Sequence, residues 1–373
     1  MNKDKHGIES LLRGAGITLN GSNAYDPQIH NDSFYARVLQ EGSLGLGESY
    51  MEGWWDCEAL DQFFYKALAL DLGKRFKHTW KFVFGFGLNQ ILNAGIRPKR
   101  VEIGAHHYDI GNDLFQAMLD KRLTYTCGYW KDAQDLNAAQ EAKLDLVCRK
   151  LGLLREERVL DIGSGWGSFI GYAAEKYGAS AIGVTVSRRQ RALAQTLDEH
   201  LPMETRLQDY REITGKFDHV VSLGMFEHVG YRNYRTFMKL VDKVLVDDGL
   251  FLLQTIGGNH SVKRTDPWID RYIFPDSMNP SIEQIGRSIE GLFVMEDWEN
   301  FGEDYDRTLM EWYRNFDRNW HEIESNYGDR FYRMWKYYLL TCAGTFRARK
   351  NQVWQIVLSK EKARRPRLRG ECG

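Results

Sequence analysis

The sequence predicts an α/β protein with a doubly wound, mostly parallel sheet, joined to a small, mainly helical N-terminal domain. Two observations lead to this prediction. Beyond residue 135, short apolar segments alternate with helical ones, which is typical of a parallel sheet covered on both faces. The glycine-rich stretch 42–47 lies earlier in the chain and is not placed between a strand and a helix. Its glycines are therefore interpreted as turns and not as a phosphate-binding loop of the sheet.

The large domain begins with a predicted helix at 136–151, whose apolar residues recur at helical spacing. A buried strand at 158–163 follows, and then a helix at 169–177. Ser187 is expected to cap a later helix that runs to residue 199. The other predicted elements are strands at 180–184, 205–207, 219–223 and 250–255, and a helix at 231–245.

Gly95, Pro98 and Gly104 interrupt the pattern and predict a domain boundary. The predicted division is a small N-terminal domain at 1–90, a linker at 91–104, and a larger domain at 105–373.

Composition excludes several classes of protein. Of 373 residues, 43% are hydrophobic and 27% are charged, which is typical of a globular chain. The net charge of -1 argues against a generally basic nucleic-acid binder. Five cysteines without a Cys-x-x-Cys pair argue against a disulfide framework or a metal site. The longest apolar stretch, 80–96, contains Lys81 and Gln90, so a soluble, cytoplasmic protein is expected.

Segment 71–100 combines seven basic residues and one acidic residue with several aromatic rings. Such a segment suits an anionic membrane surface. It equally suits a linker helix with one solvated face, and the residues alone favour this second interpretation.

The sharpest motif follows the first predicted strand of the large domain and reads Asp-Ile-Gly-Ser-Gly-Trp-Gly over 161–167. Glycines allow a ligand to approach the backbone closely at this edge of a sheet. The acidic residue before them suits a cationic ligand better than a pyrophosphate, which favours S-adenosylmethionine over NAD. The candidate residues are Asp161, Gly163, Ser164, Gly165 and Gly167.

Polar residues also follow the next two predicted strands. Thr185, Ser187 and Gln190 can bond ribose hydroxyls, although threonine and serine are ordinary at a helix entry. Gln208 and Asp209 can bond an adenine edge, although an aspartate here equally often satisfies its own turn.

Several longer strings resemble the bacterial cyclopropane-fatty-acyl-phospholipid synthases. They include LQEGSLGLGESYMEGWW from residue 39, HYDIGNDLF from 107, YTCGYW from 125, GMFEHVG from 224, FGEDYDRTLMEWY from 301 and CAGTFRAR from 342. The resemblance implies a Rossmann-like class I S-adenosylmethionine methyltransferase fold. It also implies methylene transfer to the cis double bond of a phospholipid acyl chain. The reaction would pass through a carbocation that bound bicarbonate deprotonates.

The resemblance carries specific roles to this sequence. It implies a bicarbonate pocket at Cys127, Glu227, Ile256 and Tyr305, with Gln254 where the family's usual string has histidine. Glutamine cannot titrate but can donate a hydrogen bond to an anion. Tyr125 and Thr126 match the segment that closes over the cofactor, and Cys342 matches a possible active residue, for which a structural role is favoured.

The resemblance assigns lipid binding and dimerisation to the domain at 1–90 and S-adenosylmethionine-dependent catalysis to the domain at 105–373. It further implies a homodimer that attaches transiently to the inner face of the cell membrane and takes phospholipid as its partner. Four alternatives stay open at this point. They are methyl- or methylene-branching of the same acyl chain, methylation of an amine or phenol, lipid binding without catalysis, and an NAD-dependent oxidoreductase.

Overall fold

The computed structural model describes residues 3–69, 110–197 and 201–361. The basic segment 71–100 and the predicted linker 91–104 lie outside the described residues. The N-terminal elements are α1 (Lys3–Arg13), β1 (Gln28–Ile29), α2 (Ser33–Glu41), α3 (Ser43–Met51), β2 (Trp55–Asp56) and α4 (Leu60–Ala69). From residue 110 the elements are α5 (Asn112–Met118), α6 (Leu136–Leu151), β3 (Arg158–Ile162), α7 (Ser168–Tyr172), β4 (Ser180–Thr185), α8 (Arg188–Leu197), β5 (Met203–Leu207), β6 (Phe217–Leu223), α9 (Tyr234–Val244), β7 (Leu245–Gly258), α10 (Pro267–Tyr272), α11 (Ile282–Ile289), β8 (Phe293–Asn300), α12 (Gly302–Tyr327), α13 (Asp329–Arg347) and β9 (Asn351–Lys360).

The chain forms two compact units whose segments alternate along the sequence. The first unit comprises Met1–Lys99, Lys263–Asp276 and Leu309–Asn351, and the second comprises Arg100–Val262, Ser277–Thr308 and Gln352–Gly373. The structure therefore assigns to the first unit two segments that were expected in the domain over 105–373.

Helix α13 belongs to the first unit because it packs closely on α4. An added Cβ at Gly344 would lie 2.6 Å from the Asp61 carbonyl oxygen. Arg347 Nη1 also donates to Asp61 Oδ2 at 2.7 Å. Periodicity within one segment carries no information about such a distant partner.

Two glycines expected in turns lie instead inside α3. An added Cβ at Gly45 would lie 2.7 Å from the Arg37 carbonyl oxygen, and one at Gly47 would lie 2.3 Å from Trp268 Cδ1. The prediction of turns is wrong for both: these glycines lie within a helix, where neighbouring residues pack too closely for a side chain. Gly42, with φ of +61°, does form the turn between α2 and α3.

The second unit contains a seven-stranded sheet in the order β5-β4-β3-β6-β7-β9-β8. Strands β3 to β7 pair in parallel, and β8 pairs with β9 in the antiparallel direction. This arrangement confirms the predicted doubly wound, mostly parallel sheet. It also brings the carboxyl ends of β3, β4, β6 and β7 to one edge.

Both faces of the sheet are buried. Val220 and Val221, consecutive on β6, belong to different apolar clusters and are both fully buried. One cluster includes Phe237 of α9, and the other includes Val147 of α6. Side chains alternate between faces along a strand, so helices cover the sheet on both sides.

Helix α6 has the predicted bounds, 136–151, and the residues at its two ends explain where it begins and stops. Asp135 accepts a hydrogen bond from the Ala138 N–H at 2.9 Å, and Gly152 ends the helix with φ of +59°. The predicted cap at Ser187 is also confirmed, since its Oγ accepts from the Gln190 N–H at 3.3 Å. In the described ranges, no helix is long and apolar enough to cross a bilayer.

Gly344→Ala should lower the free energy of unfolding by about 1–3 kcal/mol, because its Cβ meets the backbone of α4. Gly286→Ala is the matched control, since no described neighbour lies within 4 Å of its Cβ position in α11. The control should be neutral or stabilising by up to about 1 kcal/mol. Urea unfolding of both variants measures the difference, and equal midpoints would contradict the packing.

Candidate active site

The loop after β3 is held tightly against its neighbours. The N–H groups of Gly163 and Ser164 both donate to the Val184 carbonyl oxygen at 3.0 Å. An added Cβ at Gly163 would lie 2.7 Å from Met225. With φ of +91°, Gly163 also adopts a backbone conformation that favours glycine.

Gly165, in the same loop, faces open space. Its φ is +55°, and no described atom lies within 4 Å of the position of an added Cβ. Two buried polar atoms nearby in sequence, Asp161 Oδ1 and Ser164 Oγ, have no hydrogen-bond partner in the described part of the chain. Open backbone and unsatisfied polar atoms fit a ligand that approaches the loop closely.

Asp161 suits a cationic ligand. Its side chain is buried at the end of β3, and burial raises the pKa of its carboxyl to about 7. A cation bound beside it would favour the ionised form. Gly167, with φ of +85°, then begins α7.

The candidate ribose residues form one buried network at the end of β4. Thr185 Oγ1 donates to Gln190 Oε1 at 2.8 Å and accepts from the Ser187 N–H at 3.2 Å. These contacts hold the three residues together, directly after Val184, whose carbonyl oxygen anchors the glycine loop.

The candidate adenine residues bond within their own turn. Asp209 Oδ1 accepts from the Arg211 N–H at 3.0 Å, and Gln208 Nε2 donates to the Glu212 carbonyl oxygen at 2.9 Å. This is the ordinary turn geometry that the sequence left open as an alternative.

Aromatic rings connect the glycine loop with the segment around Tyr125. The Phe115 ring lies 5.1 Å from that of Tyr125 and 4.7 Å from that of Trp166. Trp166 Nε1 donates to Asn112 Oδ1 at 3.1 Å. Sequence reasoning gave no role to Asn112 and Phe115, although both belong to the string from 107 that carried the resemblance.

Thr126 packs against Gly224, the residue that follows β6. Its Cγ2 is 2.7 Å from the position of an added Cβ at Gly224, where φ is +72°. Lys143 Nζ donates to Thr126 Oγ1 at 2.9 Å. Sequence reasoning missed Lys143, but a signal exists: with Leu136, Gln140 and Val147 it falls on the buried face of α6.

The chain after Cys127 is bonded to the start of α12. Gly128 N–H and Trp130 Nε1 both donate to Thr308 Oγ1, at 3.1 and 2.9 Å. Trp130 N–H donates to Asp304 Oδ2 at 2.9 Å. Tyr305, which follows Asp304, is therefore carried on the turn that anchors this segment. Burial raises the pKa of the Cys127 thiol well above its ordinary value.

Glu227 follows β6 in a single 3₁₀ turn and is 6% exposed. Its Oε1 accepts from the Ile256 N–H at 2.6 Å, whereas Oε2 has no hydrogen-bond partner among the residues the structure describes. Burial raises the pKa of this carboxyl to about 7, although the Ile256 bond opposes the shift. Burial therefore keeps Glu227 protonated to a higher pH than an exposed glutamate.

Gln254 is buried on the strand that carries Ile256. Its carbonyl oxygen accepts from the Gly224 N–H at 2.9 Å. Its side-chain Oε1 accepts from Gln355 Nε2 on the neighbouring strand at 3.0 Å. Gln355, which sequence reasoning also missed, thus orients the residue that replaces the family's usual histidine.

Cys342 lies in the first unit, and the other candidate residues lie in the second. Burial raises the pKa of its thiol to about 12, so the thiol is neutral at physiological pH. Among the residues that the structure describes, no group of three or more histidine, cysteine or acidic side chains is placed to hold a metal ion.

Comparisons with known proteins point to one family. A model of the family described as mycolic acid cyclopropane synthetase matches residues 97–356, which include every candidate residue above. The chain is 50% identical over 350 residues to the cyclopropane-fatty-acyl-phospholipid synthase of Escherichia coli (strain K12), covering 94% of this chain and 92% of that one.

Two solved structures support the same fold. A cyclopropane synthase from Mycobacterium tuberculosis is 30% identical with a TM-score of 0.67, covering 70% of this chain and 98% of that one. A mycolic acid cyclopropane synthase complexed with SAH and CTAB is 30% identical with a TM-score of 0.66, covering 71% and 99%.

Gly165→Ala should weaken binding of S-adenosylhomocysteine by about tenfold or more, because the methyl group of the alanine occupies the open space over the loop. Gly291→Ala is the control, with a similar φ of +67° and no described atom within 4 Å of its Cβ position. Both variants should lose about 1 kcal/mol of stability from the left-handed backbone. Calorimetric titration measures the binding, and equal affinities in both variants would contradict the assignment of this loop.

Proposed function

The chain belongs to the mycolic acid cyclopropane synthetase family, and we propose that it forms a cyclopropane ring on an unsaturated acyl chain of a membrane phospholipid. It is an S-adenosylmethionine-dependent methyltransferase of the class I fold, as its motifs predict. The Escherichia coli relative is named for a phospholipid substrate, which supports the same acceptor here.

The glycine loop after β3 is the proposed cofactor site. When bound, S-adenosylmethionine supplies an activated methyl group. Asp161 would face positive charge, and Gly165 leaves the backbone open to close approach. Tyr125 and Thr126 are proposed to cover the cofactor, while the network at the end of β4 would bond its ribose.

Glu227 is the observation that carries the chemical part of the proposal. Methyl transfer to an alkene leaves positive charge on the acyl chain, and closing the ring requires loss of one proton from the transferred carbon. Bound bicarbonate would supply the base. Bicarbonate carries an O–H group beside its charged oxygens, so Glu227 Oε2 would accept from that O–H when ionised and donate to a bicarbonate oxygen when protonated. Burial raises the pKa of this carboxyl to about 7, which makes both forms accessible near neutral pH.

Three further residues are proposed to complete this pocket, namely Cys127, Ile256 and Tyr305. The Ile256 N–H already donates to Glu227 Oε1, so its contribution is to fix the carboxyl. Burial keeps the Cys127 side chain a neutral thiol, so it presents no second negative charge to an anion.

Gln254 is proposed as a neutral donor to the same anion. Its Oε1 is engaged by Gln355, which leaves its N–H groups as the donors available. A proton relay through this position is excluded by its chemistry, because an amide does not titrate.

Attachment to a membrane surface is also proposed, because the acceptor acyl chain lies in a bilayer. The inner face of the cell membrane and a homodimer remain predictions from the resemblance. Sedimentation with anionic vesicles would test attachment to a membrane surface, and light scattering would test the homodimer.

The decisive assay uses unsaturated phospholipid vesicles, methyl-labelled S-adenosylmethionine, and buffer with or without bicarbonate. We expect a gain of CH2 and high-field cyclopropane proton signals that depend on bicarbonate. A CH2 gain without ring signals would favour methylene branching, and two additional hydrogens would favour a methyl branch. Ring formation without bicarbonate would make Glu227 the proton acceptor. Label found only on added amines or phenols would overturn the proposed acceptor.

Glu227→Gln should lower kcat by at least about 100-fold, because the Ile256 N–H holds the amide oxygen and the NH2 group that replaces Oε2 can neither accept the bicarbonate O–H nor take up a proton. Its affinity for S-adenosylhomocysteine should change less than about threefold. The same variant should gain stability. The folded-state pKa of about 7 exceeds the ordinary 4.5, so wild-type stability falls as pH rises through this window.

The gain in unfolding free energy should therefore be absent below about pH 4.5 and reach about 2–3 kcal/mol at pH 8. Glu322→Gln, at an exposed position on α12, should show no such pH-dependent gain. Thermal unfolding at several pH values measures both variants. An active Glu227→Gln enzyme would remove this residue from the chemistry.

A further inference from the structure

Lys143 is a buried cation to which neither the motifs nor the proposed chemistry assigns a role. Its side chain on α6 is 0% exposed. Burying an ammonium group is costly unless charges and hydrogen bonds compensate. Its Nζ donates to Thr126 Oγ1 at 2.9 Å, which is a direct contact with the segment expected to cover the cofactor.

Three titratable groups lie around Lys143. Asp120 precedes Tyr125 and Thr126, which form the covering segment, and Cys127 follows them as a neutral thiol. Asp161 lies at the end of β3. Asp120 is already hydrogen-bonded within its own loop, since its Oδ1 accepts from the Thr124 N–H at 2.7 Å. Asp161 is different because its Oδ1 has no partner in the described ranges.

Helix α6 holds the covering segment at two points. Gln140, one turn before Lys143, donates from Nε2 to the Thr126 carbonyl oxygen at 2.7 Å. On its other side, Thr126 Cγ2 packs where Gly224 lacks a Cβ. Thr126 is therefore fixed between α6 and the end of β6, immediately before the turn that carries Glu227.

We propose that Lys143 is a positioning residue for the cofactor: it tethers Thr126 over the pocket and places a positive charge near Asp161. The inference rests on the proposed function, because it takes the loop after β3 as the cofactor site. Lys143 acts through Thr126 and Asp161 and does not need to touch the cofactor.

Two effects follow from removing the ammonium. Thr126 loses the donor that orients its hydroxyl. Asp161 loses a charge that opposes the effect of burial, so its carboxyl takes up a proton more readily near neutral pH. A protonated Asp161 no longer attracts the positive amino group of the ligand.

Lys143→Met and Lys150→Met form a matched pair. Lys150 lies seven residues later on the same helix, is also largely buried, and pairs instead with Asp297 and Glu299 at 3.0 and 2.6 Å. Both variants remove an ammonium group and keep an apolar stem. Calorimetric titration with S-adenosylhomocysteine at pH 7 should show about 10- to 100-fold weaker binding for Lys143→Met and less than about threefold for Lys150→Met.

The ratio of the two dissociation constants, Lys143→Met over wild type, also depends on pH. Burial lowers the pKa of Lys143 to about 8, so the wild type loses this charge at pH 9.5. The ratio should then fall to the part contributed by the bond to Thr126, which a neutral amine still donates. Titration of the ligand itself cancels in the ratio. A role limited to packing of the lysine stem would leave the ratio constant.

Wild-type affinity in a folded Lys143→Met variant, or a ratio that does not change with pH, would overturn the inference. If that variant does not fold, Thr126→Val removes the acceptor and keeps the lysine. Unchanged affinity in Thr126→Val would then overturn the tether, and weakening of about threefold or more would support it. Binding requires no lipid acceptor, so this result is independent of whether cyclopropane is formed.

Discussion

Lys143, Asp161 and Glu227 are each less than a tenth exposed within the second unit, and the organisation of the site depends on how their burial is compensated. An ionised group inside a protein requires an opposite charge, hydrogen bonds or a change of protonation. Lys143 has Thr126, and Glu227 has the Ile256 N–H on one oxygen. In the part of the chain that the structure describes, Asp161 Oδ1 and Glu227 Oε2 have no hydrogen-bond partner, and these two oxygens are the ones proposed to face ligands.

The parallel sheet explains why these groups meet. The end of β3 presents Asp161, the end of β6 leads to Glu227, and the end of β7 carries Gln254 and Ile256. This much could be predicted from sequence, because apolar strands alternating with helices imply the sheet and the sheet implies the shared edge. The helix at 136–151 and the cap at Ser187 were likewise predictable from local chemistry.

The remaining features depend on contacts between distant segments. Gly47 reads as a turn residue in sequence, yet it lies in a helix because Trp268 packs against it. The division into units follows a similar contact, between Gly344 and Asp61. At the site, Gln355 pairs with Gln254 from a strand a hundred residues away in sequence. The periodicity of a single segment cannot predict such pairs of distant residues. Lys143 is an exception, because a lysine on the apolar face of a predicted helix already indicates a buried cation.

The pairing of Gln254 with Gln355 bears on how the proposed anion pocket responds to pH. Since Gln355 donates to Gln254 Oε1, the donors that remain on Gln254 are N–H groups, and these persist at any physiological pH. Glu227 donates only while protonated, a state that burial extends to about pH 7. A histidine at 254 would add a second titrating group near the same range. With glutamine there, the pH dependence of anion binding by this pair of residues follows from Glu227 alone.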